Sequence, residues 1–262
     1  MDWSIVGAGR AGSALRQWLL EAGTPASAFI RHGQLDGWLQ SLPRQKPGGI
    51  LLAVPDDALP ALARRMAIAR AGKRSWQGWC VLHTSGTRPA AALGCLARRG
   101  ASTAAMHPMM TITRVVPSPR GVVCSIEGGA AACRAARALV RRWGGHPLAL
   151  SPQAKASYHL AATLVGPGAV VNFAAAEAIL TAAGLSGPSR RLARTGLLHL
   201  LQATASNLAQ GTSEAWTGPW ARGDEATIAQ QYRKMPTKAL RELYRSLTQA
   251  SRIVSTGSKG KR

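Results

Sequence analysis

The chain predicts an α/β domain, a Rossmann-type doubly wound parallel sheet, followed by an all-helical domain. Short apolar runs alternate with helix-length amphipathic stretches up to about residue 150. From Ser151 onward the pattern is helical throughout. A glycine-rich turn joins the first apolar run to the first helical stretch, where such sheets bind nucleotides.

The apolar runs that read as strands are 3–6, 28–30, 50–54, 80–82, 102–106, 122–126 and 147–150. Helical patterns lie between them at 10–22, 57–71, 88–98 and 129–143. Pro152 in a first turn and Gly184 just past an end frame one long helix over 152–183. Its apolar stretch is interrupted by Gly166, Pro167, Gly168 and Asn172 and reads as a kinked core helix rather than a membrane span. Further helices are punctuated by Gly187, Pro188, Gly211, Gly218 and Pro219, and Asp224 is positioned to cap one of them. The domains expected are 1–150, a nucleotide-binding unit, and 151–254, a helical substrate and dimerisation unit, with a flexible basic tail over 255–262.

Composition narrows the function classes. At 262 residues and 46% hydrophobic content, the chain is long and apolar enough for a core, which excludes chain-wide disorder. Cys80, Cys95, Cys124 and Cys133 form no C-x-x-C and read as buried small hydrophobes in a reducing compartment. With no basic segment leading into an apolar one at the N-terminus, a cytoplasmic location is expected and no membrane partner. The 33 basic and 11 acidic residues leave a net charge of +22, which invites a nucleic-acid partner. The arginines, however, are scattered in pairs such as Arg64 with Arg65 and Arg141 with Arg142, and aromatics are only 5%, too few for base-stacking platforms. A nucleic-acid partner is therefore not expected despite the charge.

Gly7, Ala8, Gly9, Arg10, Ala11 and Gly12 make a G-x-G-x-x-G between the first strand and the first helix. The first glycine permits the tight turn, the second lets backbone approach a pyrophosphate, and the third packs helix on strand. The second strand ends in Arg31 and His32, where an NAD site would carry an acid for the ribose hydroxyls. An arginine there pairs with a 2′-phosphate, so NADP is expected over NAD. Val54 and Pro55, ending the third strand, should line the nucleotide groove, and Asp56 or Asp57 should cap the next helix.

Polar residues also interrupt apolar patterns at three places: His83 to Gly86, His107 to Thr111, and Lys155 to His159. His83 reads equally as a histidine satisfied by nearby backbone, and Thr84 to Gly86 as a cap. Lys155 and His159, at i and i+4, share a helix face that is otherwise apolar. A lysine there is costly unless used, and its readily shifted pKa suits general acid work. The candidate catalytic residues are Lys155, His107, Ser85 and His159. No metal-ligand spacing is evident, so no metal is expected.

With GAGRAGSAL, VPDDAL, LHTSGT, HPMMTI, IEGG, KASYH and TGPWARGD, nearly the whole chain resembles a bacterial family of NADP oxidoreductases. That family joins a Rossmann-like domain to a helical domain of unknown function, within the superfamily with 6-phosphogluconate-dehydrogenase-like second domains. The resemblance implies nicotinamide chemistry, a general acid at Lys155 and a homodimer built on the helical domain. His159 stands where the superfamily commonly has asparagine. His107-Pro108-Met109 with Ser85 also resembles prephenate and arogenate dehydrogenases. The function expected is NADP-dependent hydride transfer to or from a small carbonyl or imine substrate. The alternatives are a prephenate-dehydrogenase-like oxidation, or a protein that senses NADP or associates with nucleic acid without turnover.

Overall fold

The computed structural model describes residues 1–71 and 75–259. It divides into two compact units, Met1–Gly166 and Pro167–Arg262.

The first unit holds a seven-stranded sheet in the order β2-β1-β3-β4-β5-β6-β7. The strands are β1 (Trp3–Val6), β2 (Ala26–Ile30), β3 (Gly49–Leu52), β4 (Cys80–His83), β5 (Ser102–Pro108), β6 (Val123–Gly128) and β7 (His146–Ala149). Each expected run forms a strand. All neighbouring strands run parallel except β5 and β6, which pair antiparallel with Ala105 opposite Glu127 and His107 opposite Ser125. The sheet is the expected doubly wound parallel sheet, with this one antiparallel pair within it. No helix lies between Pro108 and Val123, so the chain lacks the crossover a parallel partner requires and turns back on itself. The helices α1 (Arg10–Glu21), α2 (Leu35–Ser41), α3 (Leu59–Ala69), α4 (Gly94–Ala97) and α5 (Ala130–Arg142) complete the α/β layers. Of these, α2 was not read from sequence, because Gly37 interrupts its short pattern.

Apolar side chains fill both sheet faces. One cluster packs Leu15, Trp18 and Leu19 of α1 and Ala136, Leu139 and Val140 of α5 against Ile5, Leu82, Met106 and Ile126. The other packs Trp38 of α2 and Leu59, Leu62 and Met66 of α3 against Val6, Ile50, Leu52 and Val81. Where this second face reaches β5 and β6, apolar residues give way to His83, Ser125 and Glu127.

Beyond the sheet come α6 (Ala154–Ala182), α7 (Gly187–Leu208), α8 (Thr212–Ala215), α9 (Gly218–Arg222), α10 (Glu225–Lys234) and α11 (Lys238–Lys259). Asp224 caps α10 as expected: its carboxylate accepts from the Thr227 amide at 3.0 Å and from the Thr227 hydroxyl at 2.7 Å. The expected tail is corrected in part, since α11 continues to Lys259; Gly260, Lys261 and Arg262 lie outside the described residues.

The reading of α6 as a core helix is also corrected. Among its side chains only Lys155 is buried, while Leu164, Val165, Val170 and Val171 are exposed. By length and composition α6 is sufficient to cross a membrane. In the second unit the only buried apolar side chain among the described residues is Ile228.

Candidate active site

The glycine turn is built as its spacing requires. Gly7 has φ +108°, open to glycine and strained for other residues. A Cβ on Gly12 would run into the Gly7 carbonyl oxygen, so the third glycine lets α1 lie against the turn. Above Gly9 there is open space, leaving its backbone accessible. A cavity of about 360 Å³ lies over this turn, lined by Gly7, Ala8, Gly9, Arg31, Val54 and Pro55 among others. It also takes in Arg65 from α3, which the sequence reading passed over as one of many paired surface arginines. Arg10 is exposed at the start of α1, Gly12 is buried beneath the turn, and Ala11 lines a second cavity of about 150 Å³ with Thr84 and His107. A cavity with a bare glycine turn, an apolar wall, Arg31 at the end of β2 and Arg65 on α3 has the groups to hold a phosphorylated dinucleotide.

His107, which lines the second cavity, neighbours a polar cluster on the sheet. Register places His83, Ala105 and Glu127 side by side across β4, β5 and β6, with the small alanine between the two larger groups. His83 is fully buried; its Nε2 faces the Pro89 carbonyl at 3.2 Å, and its Nδ1 accepts from the Ser85 amide at 3.2 Å. That bonding assigns the proton to Nε2 and gives the backbone-satisfied histidine. The Glu127 carboxylate, 5% exposed, accepts from the Ala90 amide. His83 and Glu127 thus hold the two ends of one peptide group, the carbonyl of Pro89 and the N–H of Ala90.

Lys155, in the first turn of α6, reaches this cluster. It is 1% exposed, and its ammonium has no hydrogen-bond partner among the described residues. Burial lowers its pKa, while the Glu127 and Asp56 carboxylates act against that fall. Burial and the Lys155 charge push both His83 and His107 down to about 4, so both imidazoles are neutral at neutral pH. The buried His107 Nδ1, the Tyr158 hydroxyl and the Ser125 hydroxyl also lack hydrogen-bond partners among the described residues. Burial raises the Tyr158 pKa; the nearby Ser125 hydroxyl offsets part of the rise without meeting hydrogen-bond geometry. His107 contacts Tyr158 and His159 edge to face, with ring centroids 6.2 and 5.3 Å apart. The His159 ring fills the place where a Cβ on Gly86 would stand, so that glycine admits α6 to the β4 turn.

The candidate residues therefore differ in what they offer a ligand. Lys155 and His107 converge with free polar atoms, and His159 packs beside them. The Ser85 oxygen accepts from the Thr87 and Arg88 amides at 3.3 and 2.9 Å, shaping its own turn. The capping expectation for Asp56 and Asp57 is corrected: among the described residues α3 has no side-chain cap, and Asp57 bonds only the adjacent Ala58 amide at 2.9 Å. Asp56 instead accepts from the Thr87 hydroxyl at 2.6 Å. Burial pushes the Asp56 pKa up, but the Thr87 hydrogen bond, the nearby Ser85 hydroxyl and the Arg88 charge outweigh it and hold the group ionised. Glu127, Tyr158 and Ser125 were not singled out from sequence. The available signal was a carboxylate inside the apolar strand VCSIEG. Asn172, His199 and Asn207 are exposed on their helices. Among the described residues, no group of three or more His, Cys, Asp or Glu side chains is placed to hold a metal ion.

Family models match the chain twice: a Rossmann-like domain over residues 44–108 and the domain of unknown function DUF2520 over residues 122–251. Comparison with curated proteins by sequence gives no match. Among solved structures, the chain is similar to TM1727 of Thermotoga maritima, with 18% identity, 98% of this chain and 99% of that one covered, and a TM-score of 0.70. It is similar to the reductive aminase of Aspergillus terreus in complex with NADPH and ethyl levulinate, with 15% identity, coverage of 100% and 94%, and a TM-score of 0.64. It is also similar to the imine reductase of Streptomyces aurantiacus, with 18% identity, coverage of 96% and 93%, and a TM-score of 0.60. At these identities the likeness is one of fold.

Proposed function

The chain belongs to the family that joins a Rossmann-like domain to DUF2520, and from that premise we propose that it is an NADP-dependent oxidoreductase acting on a small carbonyl or imine. The observation that carries this reading is the buried Lys155 ammonium, without a hydrogen-bond partner among the described residues, beside two neutral histidines, one of which, His107, lines a cavity with Ala11 of the glycine turn. An ammonium kept from water without a hydrogen bond is destabilising, and a ligand oxygen or nitrogen would supply the missing partner.

The backbone of Gly7, Ala8 and Gly9 would hold the pyrophosphate, Arg31 the 2′-phosphate, and Val54 and Pro55 the apolar wall. The bound nicotinamide supplies or accepts a hydride. Lys155 holds a proton at Nζ, kept there by Glu127 and Asp56, and gives it to the oxygen or nitrogen that gains negative charge. His107 orients that atom through Nδ1, and His159 closes the side of the site. Nothing favours the prephenate-like reading in the same way, since the Ser85 oxygen is already occupied by two amides. The free thiols fit a reducing cytoplasm.

The second copy belongs to this reading. The exposed apolar side chains of α6 and α7, with so few buried ones in the second unit, fit a symmetric homodimer formed by the helices.

The test is titration with NADPH and NADH, followed by NADPH consumption in the presence of ketones, aldehydes and cyclic imines. NADPH should bind clearly tighter, and Arg31→Asp should reverse the preference. Equal binding of the two by the unaltered protein would sink the NADP reading, and no binding of either would sink the whole proposal.

A further inference from the structure

We propose that Arg65 is a second specificity-determining residue for the dinucleotide, closing on the 2′-phosphate from the side opposite Arg31, and that Asp36 competes with the phosphate for it. This rests on the NADP reading above.

The groove is lined by Ala58, the N-cap residue of α3, and by Ala61, Leu62 and Arg65 along the helix. The spacing i, i+3, i+4, i+7 is a single helix face. Its first three residues are small or apolar and give a flat surface suited to an adenine ring; its last is a guanidinium. Arg31 and His32, at the end of β2, line the same cavity, and that strand end is where the ribose hydroxyls of a dinucleotide lie. Two arginines from different elements therefore meet at the position that distinguishes the phosphorylated from the unphosphorylated cofactor. A dianionic phosphate has enough acceptor oxygens for both.

Arg65 is already engaged. Its Nη2 pairs with an Asp36 carboxylate oxygen. The two side chains are 48% and 80% exposed, so the pair contributes little to stability. Asp36 does not line the groove; it faces a separate surface pocket with Leu39, Gln40, Pro43 and Ala69. The carboxylate thus holds the guanidinium at the rim and places negative charge near the phosphate. On binding NADP, Arg65 exchanges a weak, solvated carboxylate for a phosphate that it shares with Arg31.

The test uses the full-length protein with NADPH, NADH, 2′,5′-ADP and 5′-AMP as titrants, so it needs no substrate. Arg65→Gln should weaken NADPH and 2′,5′-ADP by about tenfold or more, as expected for one lost charge-assisted contact. NADH and 5′-AMP should change less than about twofold, which also shows that the groove remains folded. Asp36→Asn should tighten NADPH by roughly two- to threefold and leave NADH unaltered. Loss of NADPH and NADH affinity together in Arg65→Gln, or no loss of either, would overturn the role of Arg65. Weaker NADPH binding in Asp36→Asn would overturn the competition. If Arg31→Gln alone discriminates the two cofactors, the NADP reading stands and the second contact falls; if the unaltered protein does not discriminate them, the NADP reading itself falls.

Discussion

Lys155 combines an energetic liability with a chemical asset. Removing its charge relieves the cost of burying an ammonium that has no hydrogen-bond partner among the described residues. Lys155→Met should therefore fold, bind NADPH and melt at the same temperature or higher, while turnover on any identified substrate drops by roughly 10²–10⁴-fold. A large fall in melting temperature would show instead that the lysine serves the fold. His83 and His107 make a second prediction at this scale. Each titrates at about 4 in the folded protein against 6.5 in a free chain. Between those values the unfolded chain binds protons that the folded one does not, so stability is full above about 6.5 and declines as pH falls towards about 4. Each histidine contributes a slope approaching roughly 1.4 kcal/mol per pH unit within that window. Urea midpoints measured from pH 7.5 to 4.5 would show the decline, and a flat profile would mean that the imidazoles are already solvated.

Among the elements, the turn after β4 is the tightest joint of the candidate site. Gly86 has His159 and His107 pressed against it. Gly86→Ala should push the start of α6 away, destabilise by about 1–3 kcal/mol and misplace Lys155. Thermal melts and turnover should therefore fall together, unlike the Lys155→Met result. The strands themselves were legible because a buried strand needs a run of apolar residues whatever its neighbours. The direction of β6 was not legible locally, since it follows from a missing crossover and not from the residues of the strand. The same limit applies to the site. Lys155 and His107 stood out as polar groups in apolar patterns, but the alignment of His83, Ala105 and Glu127 depends on the register between three strands. Asp56 was misread because a carboxylate just before a helix usually caps it; here the Thr87 hydroxyl, thirty-one positions away in sequence, takes it instead.

At the scale of the whole molecule, the exposed helical surfaces set the expectation. Val170 is 69% exposed on α6, and Leu192 and Leu200 are 74% and 64% exposed on α7. Light scattering at micromolar concentration should give a dimer, with a melting temperature that rises with protein concentration. Val170→Glu should shift the population towards monomer without weakening NADPH binding, because the nucleotide groove lies wholly within the first unit. A monomer in the unaltered protein would refute the dimer.

The peptide between Pro89 and Ala90 also offers a reporter. Its N–H is shielded from solvent by a buried carboxylate and its carbonyl by a buried imidazole. Deuterium should replace the Ala90 amide hydrogen only on large-scale opening, as slowly as the amides of the central strands, although Ala90 lies in a single 3-10 turn. In Glu127→Gln the exchange should quicken at this one amide before the sheet shows any change. A single resonance would then follow the order of the buried polar cluster directly, with no substrate required.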